Sequence, residues 1–174
     1  MIEIIDLYKK FGDFSALNGL SLTVPKGSVY GLVGPNGAGK TTAIRHLTGV
    51  YRPDGGKVLV DGEPVYENPA EKEKLAYIPD EVYFFPQASM RDMAAFYRGM
   101  YPGFDSELYA RLAGVFPLEE KTPLKRFSRG MQKQAAFRLA VSLRPEVLVL
   151  DEPVDGLDPV MRRQIWGLLL AEVA

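Results

Sequence analysis

Short apolar runs alternate with amphipathic stretches along most of the chain, and this pattern predicts strands alternating with helices. A strand is predicted where a compact apolar run is bounded by glycine, proline or aspartate. The predicted strands are Ile2–Leu7, Leu20–Val24, a buried strand Ser28–Val33, KVLV at 57–60, LAYI at 75–78 and VLVL at 147–150.

Helices are predicted where apolar residues recur every three or four positions. Met90, Met93, Tyr97 and Met100 form such a stripe, which is typical of a helix packed on a core, although a partner groove would use the same spacing. The other predicted helices follow the loop at 34–41 or span Ala70–Lys74, about Leu108–Val115, Arg129–Leu143 and Pro159–Val173.

This order of elements predicts an α/β fold with a mostly parallel sheet covered by helices. The 174 residues favour one domain, 1–174. The section 81–143 is mostly helical by pattern and lies between sections 1–80 and 144–174, which contain all the predicted strands. We therefore expect a core formed by the outer sections and an inserted helical subdomain.

The amino-acid composition argues against several classes of function. With 21 basic and 22 acidic side chains, the net charge of −1 gives no general attraction to nucleic acid. The absence of cysteine excludes thiolate metal sites and thiol redox chemistry. No apolar run approaches the roughly 18 residues that span a bilayer, so a membrane role is expected to act through a partner.

The segment GPNGAGKTT fits the phosphate-loop pattern G-x-x-x-x-G-K-[ST]. Glycines let the backbone curl so that its N–H groups face an anion, and the next helix presents its positive end. Lys40 is expected to reach the β- and γ-phosphates of ATP, and Thr41 to ligate Mg²⁺. A chance glycine-rich turn is the alternative. The predicted nucleotide-binding residues here are Gly34, Pro35, Asn36, Gly37, Ala38, Gly39, Lys40, Thr41 and Thr42.

The run VLVLDEP ends a predicted buried strand in two acids, Asp151 and Glu152. Open α/β sheets bind ligands at the carboxyl ends of their strands, so both carboxylates are expected at a ligand site. Asp151 could hold Mg²⁺ through water, and Glu152 could orient or deprotonate an attacking water. A solvated acidic turn is the alternative.

The segment FSRGMQKQ places a serine and a glycine at the start of a predicted helix. Ser128 is a good N-cap, and the free N–H groups and dipole of a helix start favour an anion. Gly130 lowers helix stability, so a closely approaching phosphate is a plausible reason for it. A locally satisfied cap is the alternative.

Three segments in this order, GPNGAGKTT, FSRGM and VLVLDEP-VDGLDP, resemble the ATP-binding cassette (ABC) ATPases over essentially the whole chain. The resemblance implies a P-loop NTPase with N-terminal antiparallel strands, binding ATP and Mg²⁺. It implies a head-to-tail dimer, homo- or heterodimeric, in which Ser128 and Gly130 face the γ-phosphate held by the second ATP-binding subunit. It also implies an integral membrane transporter subunit as partner, and a peripheral location at the cytoplasmic face of the cell membrane.

The helix start departs from the commonest family pattern, LSGGQ. Phe127 replaces leucine, Arg129 the first glycine and Met131 the glutamine. This version resembles a branch of bacterial drug, peptide or unknown-substrate exporters. Arg129 could contact nucleotide or lie in solvent, and the sequence leaves both open.

Further positions carry over from the resemblance. Phe11 stands where the family usually stacks an aromatic ring on adenine, with core packing as the alternative. Asp80 stands where the family generally has a glutamine that senses Mg²⁺ and the attacking water, with a solvated loop acid as the alternative. Asp158 resembles a residue that contacts the opposing phosphate loop, and it could also cap a helix beginning at Pro159. The aromatic run at 83–85 suits docking of a membrane-subunit helix, or core packing.

Family members usually continue with another strand and a switch histidine. We expect the sequence to be a C-terminally truncated piece, because its last helix ends without a following strand. His46, the only histidine, lies behind the phosphate loop and is expected to be structural or exposed. The expected function is a transport-coupled ATPase, weakly active or inactive as a truncated piece. The alternatives are a soluble ABC ATPase without transport and a nucleotide-sensing module with little hydrolysis.

Overall fold

An antiparallel sheet forms the first part of the chain in the computed structural model, which describes residues 1–173. Its strands are β1 Ile2–Phe11, β2 Phe14–Val24, β3 Gly55–Val60 and β4 Glu63–Pro64. The strand order is β2-β1-β3-β4, so β1 is central and places Ile2 opposite both Val24 and Val60. The predicted N-terminal antiparallel strands are therefore confirmed.

Two helices follow strands of this sheet along the chain. They are α1, Lys40–Leu47, and α2, Pro69–Glu73. The side chains of Leu7, Val60 and Val65 are completely buried, as alternating apolar positions on a half-buried sheet require. Both helices agree with the predicted positions to within a few residues.

A parallel strand pair and three helices follow. The strands are β5 Leu75–Ile78 and β6 Val147–Leu150, paired in parallel from Leu75 opposite Val147 to Ile78 opposite Leu150. The helices are α3 Met90–Met100, α4 Ser106–Arg111 and α5 Arg129–Ser142, with short 3₁₀ turns at Leu112–Gly114 and Leu124–Arg126. The last helix is α6, Pro159–Val173, as predicted.

The methionine stripe of α3 divides along its length. Met90 and Met93 are buried, whereas Met100 is 61% exposed. Core packing therefore explains the first two turns of the helix.

One predicted strand is wrong. Ser28–Val33 is not a strand, and three of its apolar side chains are exposed, Val29 at 52%, Tyr30 at 52% and Val33 at 93%. Apolar composition favours a strand only where a neighbouring strand supplies N–H and C=O partners. None of the strands in residues 1–173 pairs with this segment.

The described chain separates into two compact units. The first is Met1–Lys74 with the residues from Leu169 onward, and the second is Leu75–Leu168. The functional division into a core and a helical subdomain at 81–143 stays a prediction.

Candidate functional site

The phosphate loop of the first unit is curled by left-handed glycines. Gly37 has φ 84° and Gly39 has φ 85°, values that residues with a Cβ rarely adopt. Between them, the N–H of Ala38 donates to the carbonyl of Pro35 at 3.2 Å and closes a turn. The loop thus has the backbone form that aims successive N–H groups at an anion.

Gly39 is also fixed by its surroundings. A Cβ at this position would lie 2.6 Å from the Ala16 carbonyl oxygen and 2.9 Å from Leu17 Cδ2. At Gly37, by contrast, a Cβ would meet nothing within 4 Å. Gly39 therefore lets the loop pack closely against β2, whereas Gly37 is explained by its positive φ and not by packing.

Helix α1 begins without a side-chain cap. Its N-cap residue is Gly39, and no side chain accepts a hydrogen bond from the first turn. Each of the next four helices has a side-chain cap, in order Asn68, Ser89, Asp105 and Ser128. The first N–H groups of α1 therefore have no side-chain cap among the described residues, and the helix dipole favours an anion at such a start.

The ammonium of Lys40 lies over the loop. Its Nζ donates to the Gly34 carbonyl at 2.8 Å and to the Pro35 carbonyl at 3.0 Å. Phosphate oxygens carry more charge than carbonyls, so they would take over these hydrogen bonds. Behind the loop, His46 is 1% exposed and its Nδ1 lies 2.7 Å from the Thr42 carbonyl, so the histidine is structural.

Phe11 ends β1, and the residue is 45% exposed. Tyr51 meets it edge-on, with the ring centroids 5.5 Å apart, and Lys9 Nζ lies 5.6 Å from the Phe11 ring centroid. A supported but exposed ring can stack on a base. The geometry fits the predicted adenine contact better than core packing.

The predicted acids of the second unit lie at the carboxyl end of β5 and β6. Asp151 is 6% exposed, and its N–H donates to the Ile78 carbonyl at 3.0 Å. Glu152 follows with an exposed side chain and φ 47°, a left-handed value for a residue other than glycine. Asp80 leaves the end of β5 with a 43% exposed side chain.

Lys133 connects these acids, and sequence reasoning missed it. Its Nζ donates to the Glu152 carbonyl at 2.6 Å and to Asp80 Oδ1 at 3.2 Å. The sequence offered one signal: Asp80 adds a negative charge where the family generally has an amide, so a cation is expected near it. Asp80 is therefore an ion-pair partner rather than a solvated loop acid.

The start of α5 has the predicted cap. Ser128 Oγ accepts from the N–H of Met131 at 3.2 Å. A Cβ on Gly130 would lie 3.1 Å from the Gly156 carbonyl oxygen, so the glycine lets α5 approach the loop that follows Glu152. A tight intramolecular contact thus explains Gly130 without excluding a phosphate.

Asp158 caps α6. Its Oδ1 accepts from the N–H groups of Val160 at 2.9 Å and Met161 at 3.0 Å. The predicted cap before Pro159 is confirmed, and the predicted contact with an opposing phosphate loop stays a prediction.

The family model for ABC transporters matches residues 17–155. The chain belongs to this family. The ABC transporter ATP-binding protein YtrB of Bacillus subtilis is 33% identical, covering 100% of this chain and 60% of that protein. The Nod factor export ATP-binding protein I of Burkholderia lata is 36% identical, covering 99% of this chain and 59% of that protein.

A solved structure described as the ATP binding subunit of an ABC transporter superimposes with a TM-score of 0.89. It is 26% identical and covers 99% of this chain and 74% of that chain. The predicted fold class, an ABC-type P-loop fold, is confirmed by this likeness. The chain spans about 60% of the length of these two curated relatives.

The residues present fit ATP with Mg²⁺. In the first unit, the uncapped start of α1 and Lys40 suit phosphates, and the Thr41 hydroxyl is a possible Mg²⁺ ligand. In the second unit, taken by itself, Asp151 and Asp80 carry carboxylates of the kind that Mg²⁺ prefers. Among residues 1–173, no helix combines the length and apolar character needed to cross a bilayer.

Proposed function

We propose that this chain is the ATP-binding and ATP-hydrolysing part of an ABC transporter subunit. The observation that carries the proposal is the start of α1, where left-handed Gly39 replaces a side-chain cap and Lys40 lies over the loop. A triphosphate satisfies both features at once. Phe11 would hold the adenine, and the residues from Gly34 to Thr42 would hold the phosphates.

Hydrolysis is assigned to residues at the end of β6. Glu152 would orient or deprotonate the attacking water, and Lys40 would stabilise charge on the transferred phosphoryl group. Thr41, Asp151 and Asp80 would hold Mg²⁺ directly or through water. The metal ion, when bound, neutralises charge on the β- and γ-phosphates.

A second ATP-binding subunit would complete the site. In a head-to-tail dimer, Ser128 and Gly130 of the partner copy would face the γ-phosphate, and Asp158 would approach the opposing phosphate loop. Capping leaves the Ser128 hydroxyl proton free to be donated, because Oγ accepts from Met131. Closure on ATP and reopening after hydrolysis would drive the membrane subunit.

The membrane partner would dock on exposed aromatic residues. Tyr83 is 78% exposed and Phe85 is 48% exposed, with Phe85 supported edge-on by Phe96 at 4.9 Å. An aromatic surface of this kind suits an apolar helix. The protein would then lie at the cytoplasmic face of the membrane.

The proposal is tested in the full-length protein with Glu152→Gln. The amide cannot accept the water proton, so we expect ATP turnover to fall about 10²–10⁴-fold while ATP binding is kept. ATP-dependent dimers should accumulate, because reopening requires hydrolysis. The matched control is Glu146→Gln at the other end of β6, which should turn over ATP normally.

Unchanged turnover in Glu152→Gln would refute the assignment of the base. Wild-type protein that binds ATP without turnover would favour a nucleotide-sensing module, for which the pairing of Asp80 with Lys133 gives a specific reason. Co-purification with endogenous membrane proteins tests the transport role. ATP-dependent dimers that capture no multi-span protein would favour a soluble ABC ATPase.

A further inference from the structure

Lys133 lies where the two parallel strands of the second unit end. Ile78 and Leu150 are partners in the β5–β6 register. Two residues beyond each of them stand Asp80 and Glu152, and the Lys133 ammonium binds both. Lys133, on α5, thus hydrogen-bonds to the segments that follow the ends of both β5 and β6.

The ammonium is enclosed as well as paired. The Lys133 side chain is 3% exposed, against 43% for its partner Asp80. A buried ammonium is tolerated only where its donors have acceptors, and here a carboxylate and a main-chain carbonyl provide them. The position of Nζ is therefore closely defined, and it defines the position of the Glu152 carbonyl in return.

That carbonyl belongs to a strained residue. Glu152 has φ 47°, a conformation that residues with a Cβ adopt only when their surroundings impose it. The 2.6 Å hydrogen bond from Lys133 is such a restraint. Because the side chain leaves the adjoining Cα, fixing this peptide also restrains the direction of the Glu152 Cα–Cβ bond, from which the carboxylate side chain extends.

Lys133 also connects Glu152 to the start of α5. It lies on the helix that Ser128 caps, and the first turn of that helix approaches the Gly156 carbonyl through Gly130. Helix α5 therefore touches the segment 152–156 at two places. A displacement of the helix start would carry the peptide of Glu152 with it.

We propose that Lys133 is a positioning residue for hydrolysis, holding the Glu152 peptide and Asp80 in the arrangement that directs the attacking water. The proposal rests on the proposed ATPase function. Lys133 acts through Glu152 and does not itself touch nucleotide. Its removal should therefore lower kcat and leave the binding of ATP nearly unchanged.

The test compares Lys133→Met, which removes both hydrogen bonds, with Lys133→Gln, whose amide can still donate to the Glu152 carbonyl. In the full-length protein, Lys133→Met should lower kcat about 10²-fold, the loss expected when a catalytic group is misplaced, with KM for ATP within about twofold. Lys133→Gln should recover most of that loss. Lys125→Met, at an exposed lysine of the 3₁₀ turn Leu124–Arg126, is the matched control and should leave both constants unchanged.

A second readout needs no nucleotide. Hydrogen exchange of the segment 151–157 in the nucleotide-free protein should rise about tenfold in Lys133→Met and return toward wild type in Lys133→Gln. A merely stabilising lysine would instead raise exchange throughout the second unit and reduce the fraction of protein that binds ATP.

Unchanged kcat together with unchanged exchange in Lys133→Met would overturn the proposal. A uniform rise in exchange, with kcat falling in proportion to the folded fraction, would also overturn it. Failure of the proposed function looks different, because the wild-type protein itself would then lack ATPase activity sensitive to Glu152→Gln. The exchange measurement would still report whether Lys133 holds the Glu152 segment.

Discussion

Two helix starts, those of α1 and α5, are predicted to face phosphate, and the structure builds them differently. Helix α1 begins at left-handed Gly39 with no side-chain cap, whereas Ser128 caps α5 through the N–H of Met131. Near α1, Lys40 donates to carbonyls of its own loop, which a phosphate can replace. Near α5, Lys133 is buried and bound to Asp80 and the Glu152 carbonyl.

The difference predicts that the two helix starts have different roles in ATP binding. Helix α1 has no side-chain cap on its first N–H groups, so under the proposed function it would bind phosphate by itself. The start of α5 is capped by Ser128, and under the proposed function its hydroxyl donor and helix dipole would add to a phosphate held by a second copy. The first start should therefore dominate affinity, and the second should govern closure.

Among the changes that distinguish these two helix starts, the largest expected effect is that of Lys40→Ala. Removing a charged donor aimed at the transferring phosphoryl group should lower kcat/KM for ATP about 10²–10³-fold. Lys57→Ala, at an exposed position of β3, is the control. Steady-state ATPase assays of both variants check the prediction. Equal kcat/KM values for Lys40→Ala and Lys57→Ala would contradict the proposal that the start of α1 dominates ATP affinity.

The second-largest expected effect is a difference in stability between alanine substitutions at Gly39 and Gly37. Both have positive φ, but only at Gly39 would a Cβ meet the Ala16 carbonyl, at 2.6 Å. Gly39→Ala should lower the free energy of unfolding by about 2–3 kcal/mol, and Gly37→Ala by about 1 kcal/mol from backbone strain alone. Urea unfolding without nucleotide measures both. Equal losses of unfolding free energy in the two variants would show that the close contact of Gly39 with β2 does not contribute to stability.

Ser128→Ala tests the other helix start. Loss of the cap should cost about 1 kcal/mol of stability. Ser89→Ala removes a similar cap from α3 and should cost about as much, so it is the matched control. Only Ser128→Ala should weaken ATP-dependent dimerisation, measured by sedimentation in an otherwise inactive Glu152→Gln background. Dimerisation that is equally strong in both variants would make Ser128 a cap and nothing more.

The smallest expected effect is a loosening of two helix starts at low pH. Asp92 has its pKa held below the ordinary value of 3.8 by hydrogen bonds from the Ser89 hydroxyl and N–H, and Asp105 has its pKa lowered chiefly by the Leu108 N–H. A lowered carboxyl pKa adds stability that is present above the ordinary value and lost as pH falls through the folded one. Below about pH 4, the starts of α3 and α4 should therefore loosen, whereas α1 has no side-chain cap to protonate.

Carbon chemical shifts followed during an acid titration can separate these helix starts. Asp105→Asn keeps a capping oxygen but cannot titrate, so it should abolish the acid response of α4 alone. A simultaneous change in α1 would indicate global unfolding rather than loss of caps.

Local patterns predicted much of the second unit. The positions of β5, β6 and α6 agree with the predictions, and so do the caps Ser128 and Asp158, because these features depend on neighbouring residues. The phosphate loop was also recognisable, since left-handed turns require glycine at fixed positions.

Two features could not be predicted from local sequence patterns. Ser28–Val33 has the composition of a buried strand, but a strand also needs a neighbour, and composition does not supply one. Lys133 lies far along the chain from Asp80 and Glu152, and no local pattern connects them.

The sequence by itself determined the phosphate loop, the helix caps, the order of the elements and the family, since each follows from residue type at short spacing. The tertiary structure alone decided which side chain holds Glu152, which glycine seats the loop and which apolar segment stays exposed. Those outcomes depend on contacts between residues distant in the chain. A contact of that kind exists only when folding has brought both partners to one place.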